Sequence, residues 1–264
     1  MRNESINSVG RAADILKVLS EGLDRISDVS RRLGLSKSTT HRFLKSLEIS
    51  GLVTQDPLTR RYHLGPLILN LASKPLIAHQ GLIACAFEDM RRLRDLTRET
   101  VVLHIRTGLE RICLEELQSL ENLKYTAGKG ATAPIHTGSA GKILLSELED
   151  NELQLLLKNL RLIPIGPSTI TDKKTLVEEL KKVKARGFAT SFGERIAGSA
   201  SISVPVESYI CPVALSVLGP DNRFSLGVMM DVLEEMKDRA KQISTNLRQV
   251  NRMGSTSERQ VLSQ

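Results

Sequence analysis

Apolar residues recur at helical spacing early in the chain. Val9, Ala12, Ala13, Leu16 and Leu19 predict a helix over 8–20, with Ser8 as its cap and Gly22 just beyond its end. Val29 and Leu33 predict a second, short helix over 27–33, with Ser27 at its N-cap. Gly34 can take the positive φ of a tight turn, and Ser36 can cap a third helix, KSTTHRFLKSLEISG. In that helix Thr40, Phe43, Leu44 and Leu47 share one face. Lys37, Ser38, His41, Arg42 and Lys45 share the other. Two short strand-like runs follow, Leu52–Gln55 and Arg60–Leu64, around an Asp56-Pro57-Leu58-Thr59 turn. Val53 and Leu64 are expected to face inward, with Arg60 and Arg61 near the hairpin tip.

The pattern then changes. Residues 66–100 read as helix interrupted at Lys74-Pro75, with Ile83, Ala86, Phe87, Met90, Leu93 and Leu96 as the apolar stripe. Arginines lie around that stripe, but acids interleave with them, so it reads as a linker helix and not as a membrane-surface or calmodulin-type helix. Strands are expected at 101–106, 111–117, 188–192, 201–206, 211–219 and 224–230. Helices are expected at 140–148, 151–158, 173–186 and about 231–250. Residues 254–264 read as a disordered tail. Strands mixed with helices in this order predict an α+β fold.

Charge adds a functional hint. Residues 1–75 carry twelve Lys and Arg against seven acids, whereas the rest of the chain is close to balance. No acid falls between Asp28 and Glu48, a gap that holds Arg31, Arg32, Lys37, Arg42 and Lys45. A helix, a glycine turn and a second helix with a cationic outer face, followed by a basic hairpin, predict a winged helix-turn-helix that inserts into double-stranded DNA. The candidate DNA-facing residues are Ser36, Lys37, Ser38, Thr39, His41, Arg42 and Lys45, with Arg60 and Arg61 of the wing. One such unit reads few base pairs, so two copies spanning two half-sites are expected. Aromatics are 3% and Trp is absent, which argues for an aliphatic core and against a stacking binder of single strands.

The residues SVGRAADIL, GLSKSTTHRFLKSLEISGLV and RRYHLG resemble the winged helix-turn-helix of IclR-type bacterial transcriptional regulators, and the similarity continues over about residues 8–250. The resemblance is densest over 128–148, GKGATAPIHTGSAGKILLSEL, and 184–206, KARGFATSFGERIAGSASISVPV. It implies a DNA-binding domain over 1–67, a helical linker over 68–79 and a GAF-like effector-binding domain over 80–253. Carried over by position, it places Ala133, Ser139, Ala140, Ser191, Ser201, Ser216 and Leu218 at a small-molecule pocket. Hydroxyls there, with the amides at the start of the helix near Ser139, suit a carboxylate. The expected effector is a small organic or aromatic acid that alters DNA affinity or contact with RNA polymerase. A homodimer or a dimer of dimers is expected.

Other chemistries find little support. GSAGK departs from the phosphate-loop pattern at His136 and at Ile143. Ser139 lies in no nucleophile elbow. His104 and His136 lack a cysteine or carboxylate at ligand spacing, so no metal and no cofactor are expected. Cys85, Cys113 and Cys211 show no paired spacing, which suits a reducing cytoplasm, and Cys113 and Cys211 read as inert thiols. No secretory signal or membrane span is expected. The rival readings are a metabolite-converting α/β enzyme with an accessory winged helix, and an adaptor that no longer binds DNA. The missing catalytic motif argues against the first, and the basic face of residues 37–45 against the second.

Overall fold

The structure, a computed structural model, describes residues 2–261 and divides into two compact units, Met1–Ala78 and His79–Gln264. The first unit holds α1 (Arg2–Ser20), α2 (Ile26–Leu33), α3 (Lys37–Ile49), the hairpin β1 (Val53–Gln55) and β2 (Tyr62–Leu64), then α4 (Pro66–Ala72) and α5 (Pro75–Ala78). Its core joins Ile15, Val18, Leu19, Val29, Leu44, Leu47, Val53 and Tyr62.

Several details of this unit differ from the sequence pattern. α1 begins before Ser8, so Ser8 does not cap it. Its inward face is Ile15, Val18 and Leu19, while Val9 is exposed. Helical spacing fits either phase, and packing against α2 and β2 selects one. Arg25 stands at the N-cap of α2, where no side chain caps the helix, and the Ser27 hydroxyl instead donates to Asp28. Leu64, expected inside, is exposed, and Tyr62 takes its place in the core. In the register of the ribbon Val53 pairs with Leu64 and Gln55 with Tyr62. Two predictions match the structure. Gly34 has φ 64°, and Ser36 accepts a hydrogen bond from the Thr39 amide at 3.1 Å.

The second unit begins with α6 (Gln80–Thr97) and the hairpin β3 (Thr100–Thr107) and β4 (Glu110–Leu117). A short β5 (Thr132–Pro134), α7 (Gly138–Ser146), α8 (Asp150–Asn159) and α9 (Lys173–Arg186) follow. The chain closes with β6 (Ala189–Phe192), β7 (Ser199–Val206), β8 (Val213–Pro220) and α10 (Leu226–Val261). The six strands form one antiparallel sheet in the order β5-β4-β3-β8-β7-β6.

The expected strand over 224–230 is the start of α10. FSLGVMM is apolar enough for either state, but Met229, Leu233 and Met236 are buried at helical spacing, and Leu226, Val228 and Met230 are exposed. α10 also continues to Val261, beyond the residue 253 at which the effector domain was expected to end. No proline occurs between Leu226 and Val261 to stop it. The last residues of the expected tail, 262–264, lie outside the described residues.

The sheet is covered on both faces. α7 packs on β6, β7 and β8, backed by α8 and α9, with Leu144, Leu157, Leu176, Leu180 and Val183 between them. α6 and α10 pack on each other and reach β3, β4 and β7. In α6 the buried stripe is Leu82, Ala86, Met90 and Leu93, whereas Phe87 and Leu96 are exposed. Asp89 of α6 and Arg239 of α10 pair at 3.2 Å inside this seam. Burial raises the Asp89 pKa, and the arginine offsets that only in part.

Candidate functional sites

In the first unit the amphipathic pattern places the candidate side chains on the surface. Ser36, Lys37, Ser38, His41, Arg42 and Lys45 are exposed, while Thr40, Leu44 and Leu47 anchor the opposite face of α3. The Ser36 hydroxyl is engaged locally: it caps Thr39 and lies 3.0 Å from the Ser38 hydroxyl and 2.8 Å from the Thr39 hydroxyl. Lys45 pairs with Glu48 at 2.8 Å, and that partner raises its pKa. Lys37 and Arg42 have no side-chain partner among the described residues, and His41 has only the nearby charge of Glu48.

The two wing arginines differ. Asp56 accepts hydrogen bonds from the Leu58 and Thr59 amides, closing the turn, and Arg60 follows in the left-handed region at φ 58°. The Arg60 side chain is free of partners among the described residues. Arg61 instead donates to Asp24 at 3.0 Å, tying the wing to the segment before α2.

In the second unit, register builds the candidate site. Ser191, Ser201, Leu218 and Thr100 form one row across β6, β7, β8 and β3. Ala189, Ser203, Ser216 and Val102 form the next, and Pro205, Ala214, His104 and Cys113 the one after. α7 lies over these rows. Its Ser139 hydroxyl sits 2.7 Å from the hydroxyls of both Ser201 and Ser203, and Ser203 lies 2.7 Å from Ser216. Together they form a chain of four linked hydroxyls beneath the helix.

Beside this chain lies a cavity of about 60 Å³. Ser139, Ala140, Ser191, Ser201, Ser216 and Leu218 all line it. Ala133 does not: it sits on β5 opposite Arg111. The sequence reading missed the basic residues, because His104, Arg111 and Arg195 line the cavity too. Alternation along β3 and β4 could have placed His104 and Arg111 on that face. Nothing in the sequence pattern places Arg195, which is in the β6–β7 loop.

Polar atoms without partners mark this cavity. His104 Nδ1 and Arg111 Nε are buried with no hydrogen-bond partner among the described residues. Burial pushes the His104 pKa well below its ordinary value, and the cations of Arg111 and Arg195 push it the same way. Burial also lowers the Arg111 pKa to about 10, with Arg195 adding to the fall. Arg111 Nη1 donates to the Pro134 and Thr137 carbonyls, at 2.8 and 2.6 Å, which fixes the loop before α7. Arg195 has no hydrogen-bond or ion-pair partner among the described residues. The neighbouring Glu194 is fully engaged: it accepts from the Gly138 amide at 2.8 Å and from Lys142 at 2.5 Å.

No set of three or more His, Cys, Asp or Glu among the described residues could hold a metal. The Cys113 thiol is pushed up to about 12 by burial and by Glu116 and Glu115, so it is a poor nucleophile at neutral pH. Among the described residues no helix is long and apolar enough to cross a membrane.

Comparison with known proteins identifies both domains. Residues 8–57 match the IclR helix-turn-helix domain, and residues 75–245 match the family profile described as bacterial transcriptional regulator IclR C-terminal. The chain belongs to the IclR family of bacterial transcriptional regulators. It is 32% identical over 237 residues to the HTH-type transcriptional regulator BhcR of Paracoccus denitrificans, covering 87% of this chain and 84% of that one. It is 31% identical over 241 residues to the HTH-type transcriptional repressor AllR of Escherichia coli, covering 90% and 89%. Among solved structures, it resembles an IclR homolog from Microbacterium hydrocarbonoxydans complexed with 4-hydroxybenzoate, with TM-score 0.59, 25% identity and coverage of 91% and 98%. A putative IclR-family regulator from Rhodococcus shares the fold at TM-score 0.70, with 24% identity and coverage of 91% and 93%. This IclR-type regulator therefore combines a DNA-binding helix-turn-helix with an effector-binding domain, and its relatives are named as regulators and repressors, not as enzymes.

Proposed function

We propose that the exposed face of α3 reads operator DNA and that the cavity of the second unit takes a small organic acid as effector. The observation that carries the effector class is the cationic lining. Arg195 is unpaired and Arg111 Nε is orphaned, and the neighbouring Glu194 carboxylate is already bound. An anionic ligand would satisfy these donors, with the Ser139–Ser201 hydroxyls beside them. His104, held neutral, would offer its orphan nitrogen to a further polar group of the ligand. The solved relative with 4-hydroxybenzoate supports an acid. Volume favours a smaller one here: a cavity of about 150 Å³ holds benzene, whereas this one is about 60 Å³.

On this reading Lys37, His41 and Arg42 meet base edges or phosphates, and Arg60 meets the backbone at the wing. Arg61 acts by holding the wing to Asp24. The protein works in the cytoplasm as a homodimer or dimer of dimers, because two half-sites reward two recognition helices. The effector acts by preferring one conformation of that oligomer, which alters operator affinity or contact with RNA polymerase. Residues 1–67 carry the DNA function and 80–253 the effector function, with 68–79 as the connection.

Calorimetry with unbranched two- to four-carbon acids and with 4-hydroxybenzoate tests the cavity. One of the short acids is expected to bind, and Arg195→Ala is expected to weaken it on the order of tenfold or more. Operator DNA must then change acid affinity by the factor by which acid changes DNA affinity. Equal binding by Arg195→Ala would remove this cavity from the reading.

A further inference from the structure

A second cleft, in the first unit, adjoins the α3 reading face and shares His41 and Lys45 with it. It is open, about 540 Å³, and lies between the start of α2, the outer side of α3 and the wing. Arg25, Ser27, His41, Lys45, Arg60 and Tyr62 line it, and no acidic residue does. The nearby acids are each paired: Asp24 with Arg61, Asp28 with Arg31 and Glu48 with the cleft's own Lys45. Arg25 and Arg60 have no side-chain partner among the described residues.

Two independent features point into this cleft. The first is the start of α2. Its N-cap is Arg25, which supplies no capping oxygen. The amides of Ile26 and Ser27 have no acceptor among the described residues. Unpaired amides at a helix start favour an anion. The second is Tyr62, which is 1% exposed and whose hydroxyl is buried without a partner. Burying an unpaired hydroxyl is unfavourable, and phenylalanine would fill the same core position without that cost. Burial raises the Tyr62 pKa, so at neutral pH the hydroxyl is a donor in need of an acceptor. Lys45, Glu48 and Arg60 are all close enough to act on it electrostatically, the two cations against one carboxylate.

We infer that this cleft is a seat for one backbone phosphodiester of bound DNA, held by Arg25, Arg60, the Tyr62 hydroxyl and the first amides of α2. The inference rests on the DNA-binding reading of α3 and adds contacts from α2 and the wing core to it. A phosphate fixed here sets the depth and angle of α3 in the groove without reading sequence. Free phosphate shares the chemistry, and the test separates the two sources.

The probe is the duplex that the full-length protein enriches from a randomised pool, compared with a scrambled duplex of equal length. Tyr62→Phe and Arg25→Ala are expected to weaken both duplexes by the same factor, on the order of tenfold. Arg25→Ala should also flatten the slope of log affinity against log salt by about 0.9. Tyr62→Phe should melt no lower than wild type, since the lost hydroxyl has no partner in the free protein. Replacing backbone phosphates one at a time by methylphosphonates should reveal one position that weakens wild type but leaves Arg25→Ala unchanged. Arg42→Ala is the control for the α3 reading, and it should weaken the selected duplex more than the scrambled one. If Arg42→Ala behaves so while Tyr62→Phe and Arg25→Ala bind as wild type does, the seat is wrong and the α3 reading stands. If Arg42→Ala has no effect, the α3 reading fails, whatever the seat variants do. A lower melting temperature for Tyr62→Phe would assign the hydroxyl to the fold and overturn the seat. Saturable binding of inorganic phosphate that Arg25→Ala abolishes, with DNA affinity unchanged, would overturn the DNA source.

Discussion

The two units use polar side chains in opposite ways. In the helix-turn-helix unit the candidate residues stand on an exposed helix face, and the core beneath them is apolar apart from Ser30, Thr40 and Tyr62. In the effector unit the candidate residues are themselves core. Ser139, Ser203, Ser216, His104, Arg111, Lys142 and Glu194 are all buried, and they satisfy or strand one another. A surface that meets a large polyanion can leave its cations in water until the partner arrives. A cavity that selects a small molecule must desolvate its groups beforehand, so binding and folding share the same residues there.

That contrast sets the expected order of effects. The largest should come from Lys142→Met. It leaves the Glu194 carboxylate buried with only the Gly138 amide, in a pair whose side chains are 4% and 7% exposed. A cost of about 3–5 kcal/mol is expected, read as a lower melting temperature of the effector unit. Adding Glu194→Gln should restore part of it. Gly141→Ala comes next. A Cβ there would lie 1.9 Å from the Ile135 carbonyl oxygen, so α7 must lift from its loop, at about 3 kcal/mol. Melting by calorimetry checks both variants.

Arg42→Ala should show the opposite behaviour. DNA affinity should fall on the order of tenfold to a hundredfold while the melting temperature holds. A melting temperature lowered as far as in Lys142→Met would break the comparison between the units. The smallest effect concerns pH. His104 is neutral in the fold because burial and two arginines depress its pKa. As pH falls below the ordinary histidine value of about 6.5, the unfolded chain takes the proton first, and stability drops by at most about 1.4 kcal/mol per pH unit. Burial also lowers the His79 pKa, so it contributes in the same direction. His104→Gln should therefore flatten, without abolishing, the loss of melting temperature between about pH 7.5 and 5.5. An unchanged slope would mean that His104 gains a proton as readily in the fold as out of it.

The helix-turn-helix was legible because its evidence is local. Gly34, the Ser36 cap and the two faces of α3 are each fixed by residues within a turn of one another. The errors there arose where locality ends. The phase of α1 and the choice of Tyr62 over Leu64 depend on what the partner element presents. In the effector unit, Ser139, Ala140, Ser191, Ser201, Ser216 and Leu218 were placed by resemblance, and they do line one cavity. Ala133, carried over in the same way, does not line it; it stands on the edge strand β5 opposite Arg111.

The amino-acid sequence alone determined the three-helix start, the cationic face of α3, the wing turn and the mixed α+β order of the rest. Each follows from periodicity, caps and turn residues, which act over a few positions. Tertiary structure alone decided that His104, Arg111 and Arg195 meet the serines of α7 and β7. It also decided that Tyr62 is buried with an unpaired hydroxyl in a cleft that Arg25 lines too. These residues come from separate elements, and strand register and helix docking bring them together. Sheet pairing over long loops is a global outcome, and a local pattern carries no record of which distant residue will stand opposite.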